Sequence, residues 1–534
     1  MLKKTGRLVW ALLATLGLSA CGSNSPSGTV ATSDQRGTLV NDPPLRVASL
    51  TAAALTAELN ANPAVQPLLQ LAGTPACGID VYYLKYWTVA PDGTPAEASG
   101  ALMVPTGASA QCSGKRPIVM YAHGTTTTST YNIADISDTT NAASTEAIII
   151  ATVFAAQGDI VVAPNYLGYD ISTLGYHPYL DGAANAADMI DALAAARTAL
   201  PNTFTPGTSD SGQLYVTGYS EGGYVAMATV KAMQAAGETV TASAPSSGPY
   251  ALEAFGDTVF FGQTLIGDTV FTPLITTSYQ HAYGNVYNQT SDVYSSTYAT
   301  GIDTLLPTTT PLNTLFQQGS LPEAALFDST TPTSATGNAV VDATADALLA
   351  MPTASPTGYT AEEASLFDSG FGTPYLVNDT YRVAYVDDAV INSDEAAMTV
   401  MSNGALTSSN VALATAPAVG LRADFKTNDM RNGGWYPTEP MLLCGGDQDP
   451  TVHFEINTGV MAAAWSPLVS AGEVSILDLN GTPSGSFAPL QAGFQATYGA
   501  LVTAEGASIA IQSYHTTEVP FCMVAARDFF ALVP

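Results

Sequence analysis

Ser220 stands between Gly218 and Gly222 in the stretch Leu214–Ala226, LYVTGYSEGGYVA. The apolar run before it reads as a strand and the residues after it read as a helix. A serine on such a strand-to-helix turn can be a nucleophile, because flanking glycines leave room for a strained backbone that exposes the hydroxyl. The competing reading is an ordinary glycine-rich turn. With 46 glycines in 534 residues, a GxSxG pattern arises by chance roughly 0.3 times per chain, so the remainder of the sequence must supply what a nucleophilic serine needs: a base, a carboxylate that orients it, and donors for an oxyanion.

Five histidines are available: His123, His177, His281, His453 and His515. Where a serine sits on this kind of turn, the acid and then the base follow it in the chain, with the base near the C-terminus. His453 and His515 come late enough. His453 is four residues from the best acid and too local to face it from another loop. His515, in SYHTTEVPF, is therefore the expected base; it follows strand-like segments and precedes a helix expected over Val519 to Phe530. The acid should follow the run MLLCGG, where Asp447 and Asp449 both occur. Asp449 lies deeper in that loop and is preferred, leaving Asp447 to cap the loop. The backbone N–H groups of Glu221 and Thr125 are the expected oxyanion donors. His123 is expected to shape the Thr125 loop, and His177 to pack near the rim of the site. Neither CxxC nor HExxH occurs, so a metal site has no support in the sequence.

These residues need elements to hold them. Val81–Val89, Glu97–Val104, Pro117–Tyr121, Asp159–Ala163, Gln213–Thr217, Val240–Pro245 and Met441–Cys444 read as strands. Ala147–Gln157, Gly182–Leu200 and Glu221–Ala236 read as helices, the last ending where Gly237 can cap it. Strands alternating with helices imply a parallel sheet covered on both faces, with working groups at the carboxyl ends of the strands. From about Tyr250 to Pro437 this rhythm stops. The block is rich in Thr, Ser, Ala and Tyr, shows no repeat, and is far longer than a crossover needs.

The chain carries 45 acidic against 15 basic residues, a formal charge of −30. That balance disfavours nucleic-acid binding, which places Lys and Arg on phosphates. The start, with Lys3, Lys4 and Arg7 before an apolar run and then Leu18-Ser19-Ala20-Cys21, reads as a signal peptide over residues 1–20 that resembles a bacterial lipoprotein signal. Cys21 would then be lipidated, and residues 21–42 would form a Ser/Gly/Thr-rich tether. Cys77, Cys112, Cys444 and Cys522 remain; an exported chain is expected to pair them. Three pairings are possible, and closeness along the expected fold favours Cys77–Cys112 and Cys444–Cys522.

The segments YAHGTTT, APNYLGYD, HPYL, GYSEGG and GGDQDPTV, in that order, resemble the α/β-hydrolase superfamily, and within it the secretory lipases and their bacterial esterase relatives. The likeness covers roughly residues 115–250 and 438–530. It implies an α/β-hydrolase fold, a mostly parallel sheet with helices on both faces, in which residues 43–250 and 438–534 form the core and 251–437 a cap. It implies ester hydrolysis through an acyl-enzyme and no cofactor, with Ser220 as nucleophile, Asp449 as acid, His515 as base, and Glu221 and Thr125 as oxyanion donors. The expected substrate is a small-molecule, lipid or polyester ester. Membrane contact is expected only through lipid at Cys21, at the outer membrane or cell surface. An exported serine peptidase of the same fold, or a surface-binding protein without activity, remain as rival readings.

Overall fold

The structure is a computed structural model that describes residues 35–61, 67–205, 207–350 and 361–533. The expected signal peptide, Cys21 and most of the tether lie outside the described residues. Nine strands make one sheet: β1 (Leu45–Leu50), β2 (Gly78–Val89), β3 (Pro95–Thr106), β4 (Gly114–Ala122), β5 (Ile160–Pro164), β6 (Thr208–Tyr219), β7 (Ala242–Ser246), β10 (Met441–Gly445) and β11 (Val474–Asp478). Their order is β1-β2-β3-β5-β4-β6-β7-β10-β11. β8 (Phe327–Asp328) and β9 (Phe371–Gly372) form a separate short parallel pair.

The first three strands form an antiparallel meander that joins β5 antiparallel. From β5 onward through β4, β6, β7, β10 and β11 every pairing is parallel. The parallel strands β5, β7 and β10 are buried along their length, as the middle of a sheet covered on both faces requires. The helices Gly182–Ala199 and Glu221–Ala235 pack on each other and on one face. Tyr514–Phe530 packs on β6, β7 and β10 from the other face, beside Ser144–Val153. The fold is thus the α/β arrangement that alternation in the sequence implies.

Four details depart from the sequence reading. β4 and β6 start earlier than the apolar runs, at Gly114 and Thr208, because Gly114, Lys115 and Arg116 pair with Thr208, Ser209 and Asp210; these polar ends carry no hydrophobic signal. Residues 37–40, expected to be tether, are fastened to β2 by Gly37 N–H to Trp87 O (2.8 Å) and Val40 N–H to Lys85 O (2.8 Å). The segments between β11 and His515 are helical, not strand-like: Ala488–Glu505 is a helix that buries Leu490 and Phe494 at a spacing of four. Finally, the last helix begins at Tyr514 and runs through Pro520. The expected start at Val519 is therefore five residues late.

Between β7 and β10 the chain folds mainly into helices, among them Leu252–Phe260, Asp268–Tyr283, Asp379–Ile391 and Gly420–Asn428. Two buried arginines tie them together. Arg422 reaches Asp257 (2.8 Å) and Asp388 (3.0 Å), and Arg431 reaches Asp394 (2.8 Å) and Asp429 (2.7 Å). Disulfides join Cys77 to Cys112 and Cys444 to Cys522, the pairings expected.

Candidate active site

β6 ends at Tyr219 and the next helix begins at Glu221, so Ser220 is the whole turn. Its φ of 61° and ψ of −125° lie where a side chain is rarely found. Such a conformation costs about 1–3 kcal/mol and persists when its surroundings over-determine it. Here Ser220 N–H donates to Ser246 O (3.0 Å), while its own carbonyl accepts from Gly223 N–H (2.9 Å) and Tyr224 N–H (3.2 Å). The glycines are steric necessities. A Cβ at Gly218 would stand 2.3 Å from Gly222 O, one at Gly222 2.0 Å from Ala122 O, and one at Gly223 2.3 Å from Ser246 O. The need for Gly223 was missed from sequence, although the doubled glycine was its signal.

The loop after β4 runs beside this turn. A Cβ at Gly124 would lie 3.7 Å from the Ser220 Cβ. His123 is buried there, with Nδ1 2.7 Å from Gly124 O and Nε2 3.1 Å from Asn165 O, so it shapes the loop as expected. Glu146 holds the same loop from below. Its carboxylate accepts from Gly124 N–H (3.1 Å), Tyr121 Oη (2.6 Å) and Tyr131 Oη (2.9 Å). Thr125 follows, its Oγ1 3.0 Å from Tyr179 Oη. Glu221 occupies the first position of its helix, where a backbone N–H has no intrahelical acceptor. Its side chain turns inward, with Oε1 2.6 Å from His177 Nε2. His177 is therefore not at a rim: it is fully buried and braced by Leu167 O at 2.8 Å. The polar requirement of the buried Glu221 carboxylate draws it inside.

Asp449 sits in the loop after β10. Oδ1 accepts from Thr451 N–H (2.9 Å) and Val452 N–H (3.2 Å), and Oδ2 stands 2.6 Å from Nδ1 of His515. Asp449 thus caps its own loop. Asp447 does not: its Oδ1 accepts from Asn480 Nδ2 at 2.8 Å, joining this loop to the one after β11. His515 is in the first turn of the last helix, and its Nε2 has no hydrogen-bond partner among the described residues. The Cys444–Cys522 bridge staples that helix to β10. His453 faces Phe255 and Phe367 edge-on, and burial pushes it down to about 4.

Tyr219 links the two halves of the site. Its ring lies 4.9 Å from the His515 ring, its hydroxyl is 2.5 Å from the His515 carbonyl, and the same hydroxyl is 2.8 Å from Glu518 Oε2. Ser247 Oγ donates to that carboxyl oxygen at 2.7 Å. Asp449, His515 and Glu518 have donor atoms within 4.8 Å of one another, the one group of three or more His, Cys, Asp or Glu among the described residues close enough to hold a metal ion. Hydrogen bonds to protein groups already account for one such atom on each of the three.

An apolar cavity of about 80 Å³ opens beside Ser220 and Glu221. Leu252, Phe255, Val259 and Phe260 form one wall, Phe271 and Ile275 a second, and Leu421 and Phe425 a third. The first wall is the helix whose opposite side carries Asp257, held by Arg422. Asp268 also lines it; its carboxyl is pushed up to about 8 by burial and accepts from Leu265 N–H at 2.5 Å.

No family model matches the chain, and no curated protein matches it. Among solved structures it is similar to the rice cell wall degrading esterase LipA from Xanthomonas oryzae. The two share 25% identity over 92% of this chain and 98% of that chain, with a TM-score of 0.63. A Legionella pneumophila protein matches at 19% identity over 92% of this chain and 97% of its own, with a TM-score of 0.59, a likeness of fold alone. The likeness to LipA supports a hydrolase activity for the chain.

Proposed function

We propose that this chain, an α/β-hydrolase by fold, is a serine carboxylic-ester hydrolase. The observation that carries the reading is the 2.6 Å bond between His515 Nδ1 and Asp449 Oδ2, with the His515 ring 4.9 Å from the ring of Tyr219, the residue before the strained Ser220. In the reaction, Ser220 Oγ attacks the acyl carbon of the ester and passes its proton to His515 Nε2. The N–H groups of Glu221 and Thr125 hold the oxygen that becomes negative. The C–O bond to the alcohol breaks, and His515 returns the proton to the leaving alkoxide. Water then attacks the acyl-Ser220, giving a proton to His515, and the acid leaves as Ser220 recovers its hydroxyl. Asp449 holds the imidazole in the tautomer this needs.

The apolar cavity suits an acyl chain or the repeat of a lipid or polyester ester. In this reading, residues 251–437 are a cap that supplies most of its wall. The chain is exported, its N-terminal segment anchoring it by lipid on Cys21 at the outer membrane or cell surface. Labelled palmitate incorporated by the wild type and lost in Cys21→Ser tests the anchor.

The enzymatic test is hydrolysis of p-nitrophenyl esters by the wild type and by Ser220→Ala. Turnover lost in the variant supports the reading. Turnover retained there removes Ser220 from the mechanism, and turnover by neither favours a binding protein. Faster cleavage of aminoacyl anilides than of esters would make the chain a peptidase.

A further inference from the structure

Glu518 lies about one turn beyond His515 on the same helix, fully buried, and the reaction above gives it no part. Its contacts raise a question of proton count. The Tyr219 hydroxyl is 2.5 Å from the His515 carbonyl oxygen and 2.8 Å from Glu518 Oε2. A phenol carries one proton. A carbonyl oxygen can only accept, so the shorter contact takes it. A carboxyl that keeps its proton can make the contact between Tyr219 and Glu518 from its own side.

We propose that Glu518 is a positioning residue: it donates its own proton to Tyr219 and, through Tyr219, clamps the backbone of His515 so that the imidazole stays on Asp449 and next to Ser220. This rests on the reading of Ser220, Asp449 and His515 as the reacting set. Ser247, beyond the end of β7, completes the clamp by donating to Glu518 Oε2. Tyr219 is the chain neighbour of Ser220, so one hydroxyl ties the nucleophile's strand to the base's helix.

The surroundings of Glu518 agree with a retained proton. Asp449 faces it from the loop after β10, Asp447 and Asp478 lie on the adjoining strand ends, and Tyr514 and His515 share its helix. Burial first, and then the charge on Asp449, push the Glu518 carboxyl well above the usual range. Two carboxylates this close in a buried site repel, and the arrangement that relieves them keeps one protonated. Glu518 Oε1 has no hydrogen-bond partner among the described residues, which a neutral acid tolerates far better than a carboxylate.

The test compares Glu518→Gln, Glu518→Leu and Tyr219→Phe in the full chain. Glu518→Leu and Tyr219→Phe should lower kcat for a p-nitrophenyl ester by roughly 10–100-fold, the scale of a small misplacement of a reacting group, with KM little changed. Glu518→Gln keeps an N–H for Tyr219 and should recover most of what Glu518→Leu loses. The acid limb of its kcat/KM profile against pH should coincide with that of the wild type, since no charge has been removed. An infrared difference spectrum, wild type minus Glu518→Gln at pH 7, should show the carbonyl band of an un-ionised carboxyl. A carboxylate band in that spectrum, or an acid limb displaced in Glu518→Gln, overturns the proposal, as does full kcat in Tyr219→Phe. The spectrum needs no turnover, so a chain that cleaves no ester would end the functional reading and still decide this one. If Glu518→Leu does not fold, Tyr219→Phe carries the kinetic arm.

Discussion

Nδ1 of His515 and Oδ2 of Asp449 lie 2.6 Å apart although 66 residues separate them in the chain. Asp449 is itself fixed by the N–H groups of Thr451 and Val452, so the imidazole is oriented before any substrate arrives. Asp449→Asn would present the wrong tautomer to Ser220. Its kcat for soluble esters should fall about 10⁴-fold. The double variant with Ser220→Ala should be no slower than Ser220→Ala alone, because residues that act as one unit are not additive. Burst and steady-state kinetics on p-nitrophenyl esters check both points.

Glu146 receives Gly124 N–H and two tyrosine hydroxyls beside the Thr125 loop. Glu146→Ala removes all three acceptors. The loop should then lose its alignment, and kcat should fall toward the 10²–10³-fold expected for losing one oxyanion donor. Thr125→Val keeps the backbone N–H and should retain far more activity. Comparing kcat for the two variants, with circular dichroism to confirm folding, decides between a backbone donor and a side-chain one.

Gly222 offers a steric test of the turn. The Cβ of Gly222→Ala would sit 2.0 Å from a backbone oxygen of β4, which cannot give way as a flexible side chain does. Overpacking of this kind costs roughly 1–3 kcal/mol or more. Gly222→Ala should melt well below the wild type in a thermal scan, whereas Gly237→Ala, with nothing within 4 Å of its Cβ, should lose only the smaller cost of its positive φ.

The two disulfides should differ in what they protect. A native disulfide typically contributes about 2–4 kcal/mol. Cys444–Cys522 also joins the strand that feeds the Asp449 loop to the helix that carries His515. The pair Cys444→Ala and Cys522→Ala should therefore lose kcat at temperatures where the protein is still folded. Cys77→Ala with Cys112→Ala should lose thermal stability while keeping kcat. Paired melting curves and initial rates separate the two effects.

Asp268 gives stability a pH dependence of known sign. Burial holds its carboxyl up to about 8 in the folded chain, against about 3.9 for a free aspartate. The folded state therefore binds more protons than the unfolded state between those values. Its contribution is present below about pH 4 and lost as pH rises through 8. Glu253, also raised to about 8 by burial first, adds in the same direction. The wild type should melt at lower temperature at pH 8 than at pH 5, and Asp268→Asn should flatten that difference. Equal slopes for the two would show Asp268 ionised in the fold.

Local patterns carried a good part of this protein. The run before Ser220, the glycines around it and the alanine-rich helices declare themselves over a few residues, because strand and helix periods are local properties of a chain. The expected order Ser220, Asp449, His515 came instead from the chain order such a turn implies, with few histidines to choose from. Sequence could not reveal that His177 turns inward to Glu221, that Glu146 supports the Gly124 loop, or that Tyr219, Ser247 and Glu518 meet behind His515. Nor could it locate the apolar wall formed by Leu252–Phe260, in a block without motif or repeat. Those features are contacts between residues far apart in the chain, made because buried polar groups must find partners and apolar faces must leave water. Only the packed structure decides which distant partner each one finds.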